Sequence, residues 1–237
     1  IQKSSSNPTL VAGNSCYSLD SAKYGVYSDK ACKTLVGTLT TDAKGVSNAL
    51  EIPIGTYYVK ETQAPKGYYK DDKVYTVGVY GSQTSLVKVT DKPGNDPAAI
   101  EMKKIDQETG SLTTQGAASL EGAQFTVKYY DGYYTKDNLP EKATRTWVIH
   151  TKKQVKDNGE IIYYTRLADS YKVSGDDLYY SSGMPTLPLG TVTIEETKAP
   201  NGYNLEGAYL TLKGSTEKIE EIGRASCRER VFWVGLG

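Results

Sequence analysis

The feature that most constrains this chain is a repeat. Lys3, Leu19, Ala22, Tyr24 and Val26 match Lys104, Leu120, Ala123, Phe125 and Val127, each at an offset of 101. Further on, Ile52-Pro-Ile-Gly-Thr56 matches Leu187-Pro-Leu-Gly-Thr191, and Glu61-Thr-Gln-Ala-Pro-Lys-Gly-Tyr68 matches Glu196-Thr-Lys-Ala-Pro-Asn-Gly-Tyr203, now at an offset of 135. The difference places a 34-residue insertion in the second copy, between Val127 and Leu187. Two colinear blocks with constant internal offsets mean tandem domains. Residues 1–93 form the first, 94–99 a turn-rich linker, and 100–221 the second.

Each copy reads as strands. Tyr57, Val59 and Glu61 alternate with Tyr58 and Lys60; Val87, Val89 and Asp91 alternate with Lys88 and Thr90. A period of two is the strand signature. Short strands between Gly- and Asp-rich turns predict an all-β fold of two antiparallel sandwiches. The 20 Tyr and the frequent Thr and Val suit that surface.

Composition also removes function classes. The 28 basic and 28 acidic residues cancel, which argues against nucleic acid and against a polybasic membrane contact. No apolar run approaches the ~20 residues of a membrane span. The single histidine, His150, argues against most hydrolase triads and zinc sites, and no cofactor or metal is expected. The chain opens at Ile1 inside a strand and reads as an excised fragment. Residues 222–237, which hold Cys227, read as a foreign read-through tail, so the second domain is expected to be incomplete at its C-terminus; the alternative is a genuine last strand, VFWVGL.

The motifs carry a family likeness over about residues 1–221. Leu120-Glu-Gly-Ala-Gln-Phe125 resembles the L-x-G-A-x-F strand of CnaB-type domains, the prealbumin-like, Ig-like sandwiches of SpaA-type Gram-positive pilins and surface proteins. Thr40-Thr-Asp-Ala-Lys-Gly45 resembles the family's T-T-D-x-x-G turn, Pro53-Ile-Gly-Thr-Tyr57 its P-x-G-x-Y strand entry, and the E-T-x-A-P-x-G-Y box occurs twice. In the first copy Asp20-Ser21 departs from the Gly-containing pair usual before Ala22.

The resemblance implies an internal isopeptide bond. Lys3 would attack Asp91, with Glu61 as catalyst. Strand parity puts all three on the core face. Burial disfavours charged forms, so Lys3 would act as an amine and Glu61 as a protonated carboxyl that shuttles the proton. The plainer reading is a salt bridge among the same residues. Asn95 and Asp96 are rival acceptors, although Asp91-Lys-Pro93 fits the family's terminal pattern better. In the second copy Lys104 and Glu196 occupy the matching positions, with Lys103 the rival lysine. The matching acceptor position is near Ser226, inside the tail, so no second bond is expected and Lys104 would pair ionically with Glu196.

An exported surface protein would meet oxidising conditions, and Cys16 and Cys32, flanking the strand Leu19–Tyr27, are expected to form a disulfide; free thiols are the alternative. Nine tyrosines, with Trp147 and His150, fall in residues 128–186 and read as exposed hairpins or as a recognition surface. The function implied is a non-enzymatic structural and adhesive stalk of a Gram-positive pilin or adhesin. Its place is the bacterial cell wall, and its partners are neighbouring domains, pilin subunits, or a host extracellular protein or glycan. The alternative is a host-ligand module that binds through the Tyr-rich insertion.

Overall fold

The structure, a computed structural model, describes residues 1–96, 101–106, 110, 112, 114, 116–205, 209–213, 220–221 and 229–233. It divides into two units, Ile1–Gly94 and Asn95–Gly237.

The first unit contains β1 (Gln2–Ser5), a short helix α1 (Pro8–Val11), β2 (Lys23–Tyr27), β3 (Leu35–Thr40), β4 (Gly55–Gln63), β5 (Val74–Val79) and β6 (Lys88–Asp91). An antiparallel sheet in the order β3-β2-β4-β5 faces the pair β1-β6. Tyr24 and Val26 from β2 with Ala22 just before it, Tyr57 and Val59 from β4, Val89 from β6, and Ile1 just before β1 fill the space between. Alternation along the strands put these residues inside. Two features were not predicted. The helix is capped by Asn7, whose Oδ1 accepts from the Leu10 N–H at 3.2 Å, and opens on Pro8. Strand β1 also runs parallel to β6, with Lys3 beside Val89 and Ser5 beside Asp91.

The second unit contains β7 (Asn95–Asp96), β8 (Glu101–Asp106), β9 (Gln124–Tyr130), β10 (Arg145–His150), β11 (Lys152–Val155), β12 (Ile161–Arg166), β13 (Lys172–Gly175), β14 (Tyr179–Ser181), β15 (Met184–Pro188), β16 (Thr191–Lys198), β17 (Tyr209–Lys213), β18 (Glu220–Glu221) and β19 (Glu229–Trp233). Its main sheet runs β13-β10-β9-β16-β17-β18. The segment β10-β9-β16-β17 repeats the order β3-β2-β4-β5 of the first unit. Asn95 and Asp96, expected in the linker, pair with Pro188 and Leu187, and the Asn95 side chain donates to Thr186 Oγ1 at 2.6 Å.

The insertion is split. Thr41 Oγ1 donates to the Leu19 carbonyl at 2.6 Å and accepts from the Ala22 N–H; Thr151 Oγ1 does the same with Leu120 and Ala123. Thr41 and Thr151 are therefore equivalent, at an offset of 110. Nine extra residues precede Thr151 and 25 follow it. The longer part builds the β11–β12 hairpin, which pairs with β8, and strands β13 and β14.

The Tyr-rich region is largely core, which corrects the expectation of exposed hairpins. Trp147 and Tyr129 are fully buried, and Tyr130, Tyr163 and Tyr171 nearly so. Tyr179 packs edge-on against both Tyr129 and Trp147. A larger second unit buries aromatic rings where the first has few. Only Tyr133 and Tyr180 of the nine are exposed.

Candidate functional site

Lys3, Glu61 and Asp91 meet in the first core, each at most 2% exposed. Three local devices bring them there. The turn at Asp42 holds β1: Asp42 Oδ1 accepts from the N–H groups of Lys44 and Val46, and the Gly45 carbonyl accepts from the Lys3 N–H at 2.8 Å. Gly45 has φ +76°, and a Cβ there would stand 2.4 Å from the Lys3 carbonyl oxygen. The E-box makes the second device. Glu61 sits opposite Tyr24, Gln63 opposite Lys23, and Thr62 bulges outward between them. Bulges re-aim neighbouring side chains. Thr197 does the same in the second unit, between Glu196 opposite Phe125 and Lys198 opposite Gln124. The third device fixes the chain after Asp91. A turn at Pro65–Tyr68 uses Gly67 at φ +83°; its carbonyl accepts from the Gly94 N–H at 2.7 Å, and the Tyr69 N–H donates to the Lys92 carbonyl at 3.0 Å.

Lys3 Nζ donates to Glu61 Oε1 at 2.7 Å and to Tyr24 Oη at 2.5 Å, and it contacts Asp91 Oδ2. Glu61 Oε2 accepts from the Asp71 N–H at 2.6 Å, and Asp71 Oδ2 accepts from Tyr75 Oη at 2.6 Å. Neither Asp91 oxygen has a hydrogen-bond partner among the described residues beyond that ion-pair contact. Burial pushes the Asp91 carboxyl up to about 6; the Lys3 ammonium opposes the rise and the Glu61 charge adds to it. Burial, with the Glu61 and Asp91 charges behind it, holds the Tyr24 phenol well above its usual range.

In the second unit Lys104 and Glu196 are buried, and Lys104 Nζ is gripped by both carboxylate oxygens, at 2.7 and 2.6 Å. Burial raises the Glu196 carboxyl and Lys104 opposes it. Lys103, the rival lysine, is half-buried on the other face. Asp106 is buried two residues along β8 and accepts from Tyr203 Oη at 2.8 Å. The Ser226 position and Cys227 lie outside the described residues. Within the supposed tail, Glu229–Trp233 pairs with β8, but antiparallel, so this strand is not the counterpart of the parallel β6.

The expected disulfide is corrected. Cys16 and Cys32 are not bonded to each other. Cys16 is buried beside Gly67, at the end of β2 where Lys23 meets Gln63, whereas Cys32 sits in the turn beyond Tyr27 at φ +53°. The five residues of β2, at about 3.3 Å each, separate the two ends, well beyond disulfide reach. Among the described residues no group of three or more His, Cys, Asp or Glu is placed to hold a metal, and no helix is long and apolar enough to cross a membrane. Sequence reasoning missed Tyr24, which stands where the second copy has Phe125, and the Asp71 N–H, which leaves no side-chain signature.

Residues 12–93 match the family described as the SpaA prealbumin-like fold domain. Among solved structures, the chain is similar to the Bacillus anthracis TIE protein at 22% identity and TM-score 0.51, covering 94% of this chain and 31% of that one. It thus spans about a third of that protein's length. It is also similar to a C-terminal fragment of the pilus adhesin SpaC from Lactobacillus rhamnosus GG, at 16% identity and TM-score 0.45, covering 92% and 84%. A Streptococcal ancillary pilin follows at 17% identity and TM-score 0.27, covering 86% and 58%. No curated protein matches the chain. At 22% identity the Bacillus anthracis structure speaks to fold alone, and the family match is to residues 12–93, the greater part of the first unit.

Proposed function

We propose that this chain is a stalk module of a Gram-positive surface pilin or adhesin, and that its first unit locks itself with an isopeptide bond between Lys3 and Asp91. The observation that carries the reading is the buried Lys3–Glu61–Asp91 cluster, in which Lys3 Nζ meets a carboxylate oxygen of each acidic residue. The proton Lys3 shares with Asp91 moves to the carboxyl, leaving an amine beside a carboxylic acid. Nζ attacks Asp91 Cγ, and a C–N bond forms. Glu61 takes one N–H proton and delivers it to the departing hydroxyl; the C–O bond breaks and one water leaves. Glu61 ends as it began. Three buried ionisable groups become one amide and one carboxyl, which removes most of the desolvation penalty. Fixed neighbours supply the effective concentration.

The reaction runs once, so the module is not an enzyme in the ordinary sense. The cross-link encloses nearly the whole first unit and contributes roughly 4–5 kcal/mol by loop entropy. It also ties the first strand to the last, so a pull along the chain cannot separate them. The second unit, with Lys104 and Glu196 paired, forms no such bond in this reading. Partners would be neighbouring domains, pilin subunits or a host surface molecule, and the setting the bacterial cell wall. The burial of Trp147 and Tyr129 favours a structural role for the insertion over a ligand surface.

Intact mass of the full chain, reduced and denatured, tests the proposal. The chain is expected one water lighter than its sequence, with Lys3→Ala and Glu61→Ala at full mass. Full mass for the unaltered chain overturns it.

A further inference from the structure

We infer that the Tyr24 hydroxyl is a catalytic group of the cross-linking site, holding the one Nζ–H that survives from amine to amide. The inference rests on the proposed Lys3–Asp91 bond and names a residue outside the Lys–Glu–Asp set.

The two units make the comparison. In the first, Lys3 Nζ is shared among Tyr24 Oη, Glu61 Oε1 and Asp91 Oδ2, while Glu61 Oε2 is occupied by the Asp71 N–H. In the second, Phe125 stands at the Tyr24 position, facing Glu196 in the same register, and Glu196 grips Lys104 with both oxygens. A carboxylate fork of that kind suits an ammonium with three N–H groups. A neutral amine has two N–H groups and one lone pair. In the first unit Tyr24 Oη and Glu61 Oε1 accept those two N–H groups. The lone pair then has one direction left, toward Asp91.

The bookkeeping of protons follows. After attack, the N–H facing Glu61 leaves through Glu61 with the departing water. The N–H facing Tyr24 stays and becomes the amide N–H. Tyr24 Oη is fully buried with it and satisfies it. A phenylalanine would leave that buried donor without its acceptor, which is unfavourable in a dry core.

The test uses the full chain made in a cell-free system, sampled over time and read by intact mass, with Lys3→Ala as the unlinked reference. Tyr24→Phe installs the residue the second unit carries. It is expected to lose its water about tenfold more slowly, the size of one net hydrogen bond at the reacting nitrogen. Slowing of threefold or more supports the inference; a smaller effect overturns it. In the unaltered chain labelled with ¹⁵N-lysine, the Lys3 Nζ–H should show as an amide proton strongly protected from exchange, and that measurement stands even if Tyr24→Phe fails to fold. Exchange as fast as an exposed amide overturns the inference while leaving the cross-link standing. A full-mass unaltered chain instead removes the cross-link itself, and this role of Tyr24 with it.

Discussion

Around Lys3 the decisive contacts are few. One ammonium nitrogen meets a phenol, a carboxylate and a second carboxyl inside a core of Ile1, Val59 and Val89. Such a group of charges is unfavourable unless neutralised. The phenol gives a clean linkage prediction. Tyr24 holds its proton more tightly folded than unfolded, so its contribution to stability is present below the ordinary tyrosine value near 10 and is lost as pH rises beyond it. Between pH 9 and 11 the stability of the first unit should fall more steeply for the unaltered chain than for Tyr24→Phe, measured by urea unfolding. Equal slopes would contradict the assignment. At this scale Lys3, Glu61 and Asp91 were legible, because the family resemblance singled them out and strand parity put each on the core face of its strand. Tyr24 stood in the sequence as the match of Phe125 in the second copy, but nothing there said that its hydroxyl would reach the lysine. The Asp71 N–H was invisible, because a backbone donor is placed by loop geometry and not by residue type.

Among the elements, the turns do most of the positioning. The Asp42–Gly45 turn holds β1, and Gly45 leaves no room for a side chain against the Lys3 carbonyl. Gly45→Ala combines a strained φ with a backbone clash and should destabilise the first unit by about 1–3 kcal/mol. That corresponds to a fall in Tm of roughly 5–20 °C for a unit of this size, read by calorimetry. An unchanged Tm would show that the turn does not brace β1. The E-box was legible as a repeat, and the structure gives its parts separate work: Glu at the cluster, Thr in the bulge, Gly in the turn that holds the chain after Asp91. The parallel sense of β1 and β6 was not legible, since alternation fixes faces and not directions. Nor was the equivalence of Thr41 and Thr151, because extra residues on both sides shift its offset. The Cys16–Cys32 pairing failed for a related reason: sequence spacing does not report which ends of a strand two residues occupy.

For the whole molecule, one strand order serves two units of different size. The first fills its core with aliphatics and two tyrosines; the second closes around Trp147, Phe125, Tyr129 and Tyr171. Composition had marked the tyrosines as a surface, because abundance says nothing about facing. Removing the largest of these rings, Trp147→Ala, should cost the second unit about 3–5 kcal/mol. Because each unit has its own core, the first unit should still lose its water, as intact mass would show. Loss of the cross-link in that variant would mean that the two fold as one. The central claim is a covalent bond between the first and last strands of the first unit. Digestion of the reduced, denatured chain followed by tandem mass spectrometry tests it most directly. The account predicts a branched peptide pair joined through Lys3 and Asp91 and lighter by one water. Linear peptides carrying unmodified Lys3 and Asp91 would contradict it.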